Sequence, residues 1–279
     1  MKIKLFYHIL LENHWYSIVK EHQRILKSSK LHDRIQDYHI NIAIPNDITG
    51  KKKSKLLDFF YLHFVDNLEE DGFFYNKKLS ITQSNKDEYE FPTLEIAISE
   101  SKSDSFIGLY IHTKGSSNPC YEKDWMLYTM NIGILENFED HIIAIEKENY
   151  DMSGCNLLYS NPHFSEAFIN KWKKSSLSDR KNIYKDILNI PKTPWFIPTP
   201  YFMGHIFNIY CEYKWFYSGN FFYFNSDFFK SIDLSKIDKK NRYWAESIYG
   251  LMYNPKMNSN GYSGYPFYKK KSDNMGHFE

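Results

Sequence analysis

One stretch of sequence decides the fold: Phe106-Ile107-Gly108-Leu109-Tyr110-Ile111-His112-Thr113-Lys114-Gly115. Its apolar part predicts a buried parallel strand, and its polar end then lies at the carboxyl edge of a sheet, where open α/β folds bind ligands. A cation at His112 or Lys114 and the Thr113 hydroxyl suit a phosphate or diphosphate, and Gly115 allows the backbone to come close. A strand end with incidental polar residues is the alternative.

The chain before this stretch alternates between two periodicities. Apolar runs predict strands, and apolar residues at three- and four-residue spacing predict amphipathic helices. The strands are expected at 3–10, 38–44 and 79–83, the helices at 14–30, 56–65 and 92–101, and a basic loop at 51–55. This alternation predicts an α/β fold with a Rossmann-type, mostly parallel sheet flanked by helices.

The second half of the chain is less regular. Its patterns predict a helix at 121–147, a strand at 151–158, surface helices within 165–188, an aromatic strand at 216–224, and helices at 227–232 and 243–253. Gly133 is a candidate kink in the first of these helices. We find no internal repeat, so the chain is expected to form one α/β domain with an elaborated C-terminal third.

Charge and composition narrow the function. The 279 residues carry 35 Lys and Arg against 34 Asp and Glu, and this near-neutral balance argues against a dedicated nucleic-acid binder. The N-terminus shows no signal-peptide pattern, which predicts a cytoplasmic protein. Tyr, Phe and Trp make up 18% of the chain. Such an excess fits a protein that grips a ring-shaped ligand, or a core rich in Phe and Tyr.

A second candidate segment is Tyr217-Ser218-Gly219-Asn220-Phe221-Phe222-Tyr223-Phe224. Its Ser-Gly-Asn turn places a backbone loop and an amide beside a flat aromatic wall, a combination that commonly holds sugars. A tight turn followed by a core strand is the alternative, and in either case one of the pairs Phe222/Phe224 and Phe221/Tyr223 must face the core.

A third candidate segment is Arg242-Tyr243-Trp244-Ala245-Glu246, on a predicted helix. Glu246 near a cleft would suit a base that deprotonates an acceptor hydroxyl. The spacing of Arg242 and Glu246 also fits a surface ion pair, which the residues alone favour.

Several familiar motifs are absent from the sequence. It contains no P-loop, no G-x-G-x-x-G and no G-x-S-x-G, so Ser/His/Asp hydrolase chemistry has no support. No Asp-x-Asp ends a predicted strand, and no histidine pair has convincing metal-ligand spacing with a matching carboxylate.

Taken in order, these segments resemble a group of small soluble glycosyltransferases found among bacterial and large-virus surface-polysaccharide genes. The resemblance rests on the ending His112-Thr113-Lys114-Gly115, a following helix that contains Trp125, the run Ser218-Gly219-Asn220-Phe221, and Arg242 with Glu246. This chain departs from the family pattern at Tyr217, where a histidine is common, and at Met126, where an arginine is common.

The resemblance implies a GT-A-like fold with an elaborated C-terminal acceptor region. Within a single domain of residues 1–279, it implies a nucleotide-sugar-binding half at 1–115 and an acceptor and catalytic half at 116–257. Residues 258–279 are expected to form a mobile basic-aromatic tail.

The resemblance also assigns roles to residues. Glu246 would be the catalytic base that takes the proton of the acceptor hydroxyl. The donor diphosphate would be bound by His112, Thr113, Lys114 and Gly115. Donor and acceptor sugars would be bound by Ser218, Gly219, Asn220, Arg242 and Trp244. Topology alone places Tyr7 and His8, together with residues 45–47, near the nucleotide.

The metal expected of GT-A enzymes lacks its usual ligands in this sequence. Such enzymes generally hold a divalent metal with Asp-x-Asp, and His112-Thr113-Lys114 stands at that position here. The resemblance therefore implies that His112 or Lys114 offsets the diphosphate charge without a metal cofactor, with Mn²⁺ and Mg²⁺ left open.

The expected function is that of a hexosyl- or related glycosyltransferase. It would move a sugar from a nucleotide-sugar donor to a saccharide or lipid-linked saccharide, in the biosynthesis of surface polysaccharide, lipopolysaccharide or capsule. The alternatives are a non-catalytic nucleotide-sugar or carbohydrate-binding protein on the same scaffold, and a nucleotidyltransferase. Lys269, Lys270 and Lys271 would give peripheral contact with the inner face of the membrane, a solvated terminus being the alternative.

Overall fold

The computed structural model describes residues 1–66, 74, 76–113, 116, 131–154, 157–158, 216–217, 221–236, 239 and 256–259. Its first strands are β1 (Lys2–Leu10), β2 (Ile35–Ile44), β3 (Lys78–Asn85) and β4 (Phe106–His112). Helices α1 (Trp15–Ser28), α2 (Leu31–Arg34), α3 (Gly50–Phe60) and α4 (Phe91–Ser103) lie between them in the chain. The predicted alternation is confirmed.

The later described elements are shorter. They are α5 (Phe138–Glu146), β5 (Met152–Gly154), β6 (Leu157–Leu158), β7 (Phe216–Tyr217), β8 (Phe222–Asn225), α6 (Ser226–Phe229) and β9 (Met257–Ser259). Wider π-helical turns at Tyr61–Asp66 and Asn131–Glu136 continue α3 and precede α5.

The main sheet has the strand order β3-β2-β1-β4-β8-β5-β9, and β6 pairs with β7 in a separate antiparallel ribbon. Every neighbouring pair in the main sheet is parallel except the two pairs that include β8. The prediction of an α/β fold with a mostly parallel sheet flanked by helices is thus confirmed. Strands from before and after residue 115 share this sheet, while the boundaries proposed at 115 and 257 stay predictions.

Alternate side chains of β1 and β4 build two cores. Ile3, Leu5, Tyr7 and Ile9 pack on the face covered by α1 and α3, and Phe6 packs on the face covered by α4. Both faces of β4 are buried along its whole length, as the apolar run at 106–112 requires.

The predicted basic loop at 51–55 is wrong. These residues form the first turns of α3, which begins at Gly50. Lysine is a good helix former, and Thr49 before the helix is extended. The spacing of apolar residues predicted a helix only at 56–65, because the first turns of α3 face solvent and have no apolar stripe.

The helix predicted at 121–147 is interrupted in its described part. Asn131–Glu136 form the π-helical turn, and α5 begins anew at Phe138. Gly133 lies in that turn, and its carbonyl oxygen is 2.7 Å from His141 Nε2. Residues 121–130 lie outside the described part of the chain.

The aromatic strand predicted at 216–224 is two strands. Phe216–Tyr217 pair with β6, whereas Phe222–Asn225 insert between β4 and β5 of the main sheet. Phe221, Phe222, Tyr223 and Phe224 are all buried, so both alternating pairs face a core. Because β8 is a central strand, these four rings offer no aromatic wall to a sugar, and the prediction of a wall is wrong for Phe221 to Phe224. The side chains of Phe216 and Tyr217 lie outside the described part of the chain.

Candidate functional site

The candidate site begins where the sheet reverses its winding. From β1 the chain adds β2 and then β3 on one side, and it returns to place β4 on the other side of β1. The carboxyl ends of β1 and β4 diverge at such a switch point, and open α/β sheets bind ligands in the resulting crevice. His112 and Thr113 lie at this edge, as the sequence predicted.

Thr113 ties the two strand ends together. Its backbone N–H donates to the His8 carbonyl oxygen over 3.0 Å. Its hydroxyl oxygen accepts a hydrogen bond of 2.9 Å from the backbone N–H of Leu10. Thr113 thus holds the crevice in shape, with its own side chain buried.

His112 is paired with a carboxylate that the sequence argument missed. Its Nδ1 lies 3.2 Å from Glu90 Oε1, and its ring packs edge-on against Phe221 at a centroid distance of 5.4 Å. A protonated His112 would form a neutral pair with Glu90, so the local cationic character expected of His112 is offset. Glu90 immediately precedes α4, and no motif marked it.

His8 is the register partner of His112 on β1. Its Nδ1 is 3.0 Å from Thr93 Oγ1 and 3.3 Å from Asn41 Nδ2. Burial, with a smaller contribution from the positive charge of His112, lowers the pKa of His8 to about 3. His8 is therefore neutral at physiological pH and contributes a polar, uncharged edge to the crevice.

Tyr7 points to the opposite face of the sheet from His8. It is 2% exposed, and its hydroxyl oxygen lies 2.7 Å from His22 Nδ1 on α1. Burial raises the pKa of Tyr7 well above its ordinary value. Its interactions here belong to the core beneath α1, and nucleotide contact by Tyr7 stays a prediction.

A cavity of about 520 Å³ opens at the same sheet edge, beyond the ends of β2 and β3. It is lined by the turn into α3, by the first turn of α3 and by the segment after β3: Ile44, Pro45, Asn46, Ile48, Thr49, Gly50, Lys53, Asn85, Asp87 and Glu88. Its volume falls within the range of about 300–1,000 Å³ typical of ligand pockets. Asn46 belongs to the segment that topology placed near the nucleotide.

The cavity wall is prearranged by hydrogen bonds. The Asn46 amide donates to the Asp87 carboxylate, which joins the segments after β2 and β3. Glu88 Oε1 accepts from the backbone N–H of Asn85 over 2.9 Å. Gly50 adopts φ +53°, a conformation that glycine tolerates at the start of α3.

An ion pair lies between the crevice and the cavity. Both carboxylate oxygens of Glu12, in the turn after β1, are 2.8 Å from Lys86 Nζ, which follows β3. This pair draws together the carboxyl ends of strands that are not neighbours in the sheet. Crevice and cavity therefore share one continuous edge.

The described residues do not fit a divalent metal. Four of the carboxylates along the edge contact their own partners: Glu12 with Lys86, Asp87 with Asn46, Glu88 with Asn85, and Glu90 with His112. Asp47, in the turn after β2, is exposed. Within the described ranges, no group of three or more His, Cys, Asp or Glu is placed to hold a metal ion.

Many of the predicted site residues lie outside the described residues. These are Lys114, Gly115, Ser218, Gly219, Asn220, Arg242, Trp244 and Glu246, together with the tail lysines Lys269, Lys270 and Lys271. Their assignments stay predictions. None of the helices in the described ranges combines the length and apolar character that crossing a bilayer requires.

Comparison with known proteins adds one structure. No family model matches the chain, and no curated protein matches it. Core-mannan synthase A from Aspergillus fumigatus, solved in a Mn/GDP form, aligns with 94% of this chain and 73% of its own at 9% identity and a TM-score of 0.38. A similarity at that TM-score supports neither a shared fold nor a shared function. The α/β assignment therefore rests on the strand order and pairing of the sheet itself.

Proposed function

We propose that this protein is a GT-A-like glycosyltransferase that uses a nucleotide-sugar donor. The observation that carries the proposal is the crevice at the β1/β4 switch point together with the cavity beside it. Nucleotides bind at such switch points in open α/β folds, and the cavity gives the crevice a second, adjoining compartment. The motif resemblance supports the same reading.

The two compartments suit different parts of the donor. The cavity would take the base and ribose, with the Asp87 carboxylate and the Asn46 amide supplying hydrogen-bonding groups for ribose hydroxyls or base edges. The crevice would take the diphosphate, whose charge Lys114 would offset because Glu90 offsets His112. Gly115 would let the backbone approach the phosphates.

The proposed reaction is a direct transfer. The acceptor hydroxyl oxygen attacks the anomeric carbon, and the bond between that carbon and the diphosphate oxygen breaks. The acceptor proton passes to the Glu246 carboxylate, and the nucleoside diphosphate leaves with the electron pair. Ser218, Gly219, Asn220, Arg242 and Trp244 would hold the two sugars.

The biological setting follows from the resemblance alone. We propose a cytoplasmic enzyme of surface-polysaccharide, lipopolysaccharide or capsule biosynthesis that acts on a saccharide or lipid-linked saccharide. The proposed reaction is metal-independent, because Lys114 would offset the diphosphate charge and because Glu12, Asp87, Glu88 and Glu90 are engaged with other partners.

A nucleotide-sugar panel tests the proposal. Purified protein is titrated with UDP-, GDP- and CDP-sugars in EDTA and in Mn²⁺, and release of the nucleoside diphosphate is followed with and without saccharide acceptors. We expect one donor to bind and turn over in EDTA. Asp87→Ala should weaken donor binding on the order of tenfold through loss of one charged hydrogen bond, whereas Glu246→Gln should leave binding intact and lower turnover sharply.

The other outcomes separate the alternatives. Binding without turnover in any condition would identify a non-catalytic binding protein. Activity that vanishes in EDTA and returns with Mn²⁺ would reject metal independence, and normal turnover of Glu246→Gln would reject the proposed base. Asp58→Ala, an exposed carboxylate change on α3 outside the cavity, is the matched control for Asp87→Ala.

A further inference from the structure

Helix α3 and the π-helical turn after it have two different faces. Phe60 and Phe64 are buried against the core beneath the sheet. On the opposite side, Phe59 is 40% exposed and Leu62 is 54% exposed. A single exposed apolar side chain is common on protein surfaces and needs no explanation. These two, however, lie one turn apart on the same surface and so form a patch.

Aromatic rings surround Phe59 at the surface. Its ring centroid lies 5.4 Å from that of Tyr16 and 4.3 Å from that of His63. Lys20 Nζ sits 4.7 Å from the centroid of the Tyr16 ring, in a cation–π contact. The exposed apolar patch is therefore continuous from α1 to the turn after α3, and it is edged by a cation.

The N-terminal turns of α3 add strong positive charge to the same surface. Residues 50–60 contain four lysines, at 51, 52, 53 and 55, against one aspartate at 58, a net charge of +3. In the described part of the chain no ion pair joins these lysines to a carboxylate. We call the surface formed by Lys51, Lys52, Lys55, Phe59 and Leu62 the basic-aromatic face.

We propose that the basic-aromatic face docks on an anionic lipid bilayer. Lysines attract the negative phosphates of the headgroups, and exposed aromatic and aliphatic side chains enter the interface between headgroups and acyl chains. Long lysine side chains keep their charged ends at headgroup level while Leu62 and Phe59 penetrate further.

Charge complementarity favours a bilayer over a protein partner. Lysine is depleted in protein–protein interfaces, where aromatic residues and arginine are enriched. Here the cations flanking the aromatic patch are all lysines, at 20, 51, 52 and 55. The face also lies on the outside of α3 and of the turn after it rather than in a groove, which suits a flat, deformable surface.

Docking in this way would set the orientation of the candidate site. Thr49, Gly50 and Lys53 of the same helix start line the cavity. The carboxyl edge of the sheet would then lie close to the headgroups. The proposal uses none of the tail lysines at 269–271, which lie outside the described residues, and it does not depend on the protein being a glycosyltransferase.

Vesicle co-sedimentation tests the proposal with the full chain. The probes are vesicles of phosphatidylcholine mixed with phosphatidylserine and vesicles of phosphatidylcholine alone, each at low and high salt. We expect binding to the anionic vesicles that weakens at high salt. Lys51→Ala combined with Lys55→Ala should weaken it roughly 25-fold, at about fivefold for each lysine near the surface.

Matched variants keep the test specific. Lys102→Ala combined with Lys147→Ala removes the same charge from exposed sites elsewhere and should bind as the unchanged protein does. Leu62→Gln should weaken binding at least several-fold without changing net charge, and circular dichroism should show both α3 variants folded. Absence of binding, equal binding to neutral vesicles, or equal losses in the two lysine pairs would overturn the proposal.

Discussion

Gly108 lies where β4 and β8 pack closely against each other. It lies on β4 opposite Phe224 of β8, and a Cβ at this position would overlap the Phe224 ring. The neighbouring rings of Phe6 and Phe106 pack on the same Phe224 side chain at centroid distances of 5.7 and 6.0 Å. Because Gly108 has no side chain, the Phe224 ring fits against β4 and β8 can join the sheet beside it.

We predict that Gly108→Ala lowers the free energy of unfolding by about 1–3 kcal/mol or more, because the Phe224 ring has to move within a packed core. Urea denaturation measures the change. Adding Phe224→Leu should recover part of the loss by making room for the methyl group. Gly50→Ala, where nothing lies near the added Cβ but φ is +53°, should cost about 1–2 kcal/mol and gain nothing from Phe224→Leu.

Of the paired residues His112 and Glu90, only His112 could be predicted from the sequence. The position of His112 at a strand end followed from the apolar run before it. Glu90 is 22 positions earlier in the chain, and it reaches His112 only because α4 starts beside the end of β4. A local sequence pattern cannot predict a contact between segments that are so far apart in the chain.

At the scale of elements, α6 is tied to the start of β4. The backbone N–H of Phe106 donates to Ser226 Oγ over 2.9 Å, and Ser226 is fully buried. Asn225 caps the helix, since its Oδ1 accepts from the backbone N–H of Asp227 over 2.8 Å. A short helix thereby fixes where β4 begins.

We predict that Ser226→Ala lowers the free energy of unfolding by about 1–3 kcal/mol, because a buried N–H loses its acceptor. Chemical denaturation provides the measurement. Ser231→Ala is the control: its hydroxyl donates to the Phe228 carbonyl at the exposed end of the same helix, and its loss should stay within about 0.5 kcal/mol. Equal losses in the two variants would contradict the proposed role of Ser226.

At the scale of the whole molecule, three buried histidines make stability depend on pH. Burial lowers the pKa of His8 and His22 to about 3 and that of His141 to about 4, from an ordinary value of 6.5. As the pH falls below about 6.5, the unfolded chain takes up protons that the folded chain does not. Acidification therefore favours unfolding.

We predict that the free energy of unfolding falls between pH 7 and pH 5, on the order of 1–2 kcal/mol for each of these histidines. Urea denaturation at pH 7, 6 and 5 gives the slope. His22→Gln should make the slope shallower by about one proton, whatever its effect on absolute stability. A stability that is constant over this range would show that the histidines are not held neutral by the fold.

The sequence alone determined the α/β class and the place of β1 to β4, because the apolar patterns of strands and helices are local. It also determined that polar residues stand at the end of β4. Tertiary structure decided that residues 216–217 and 222–225 join different sheets, that Phe221 to Phe224 are core on both faces, and that Asn46 meets Asp87 across a cavity. These are contacts between distant segments, and the order of strands in a sheet is set by packing the whole chain rather than by any one stretch of it.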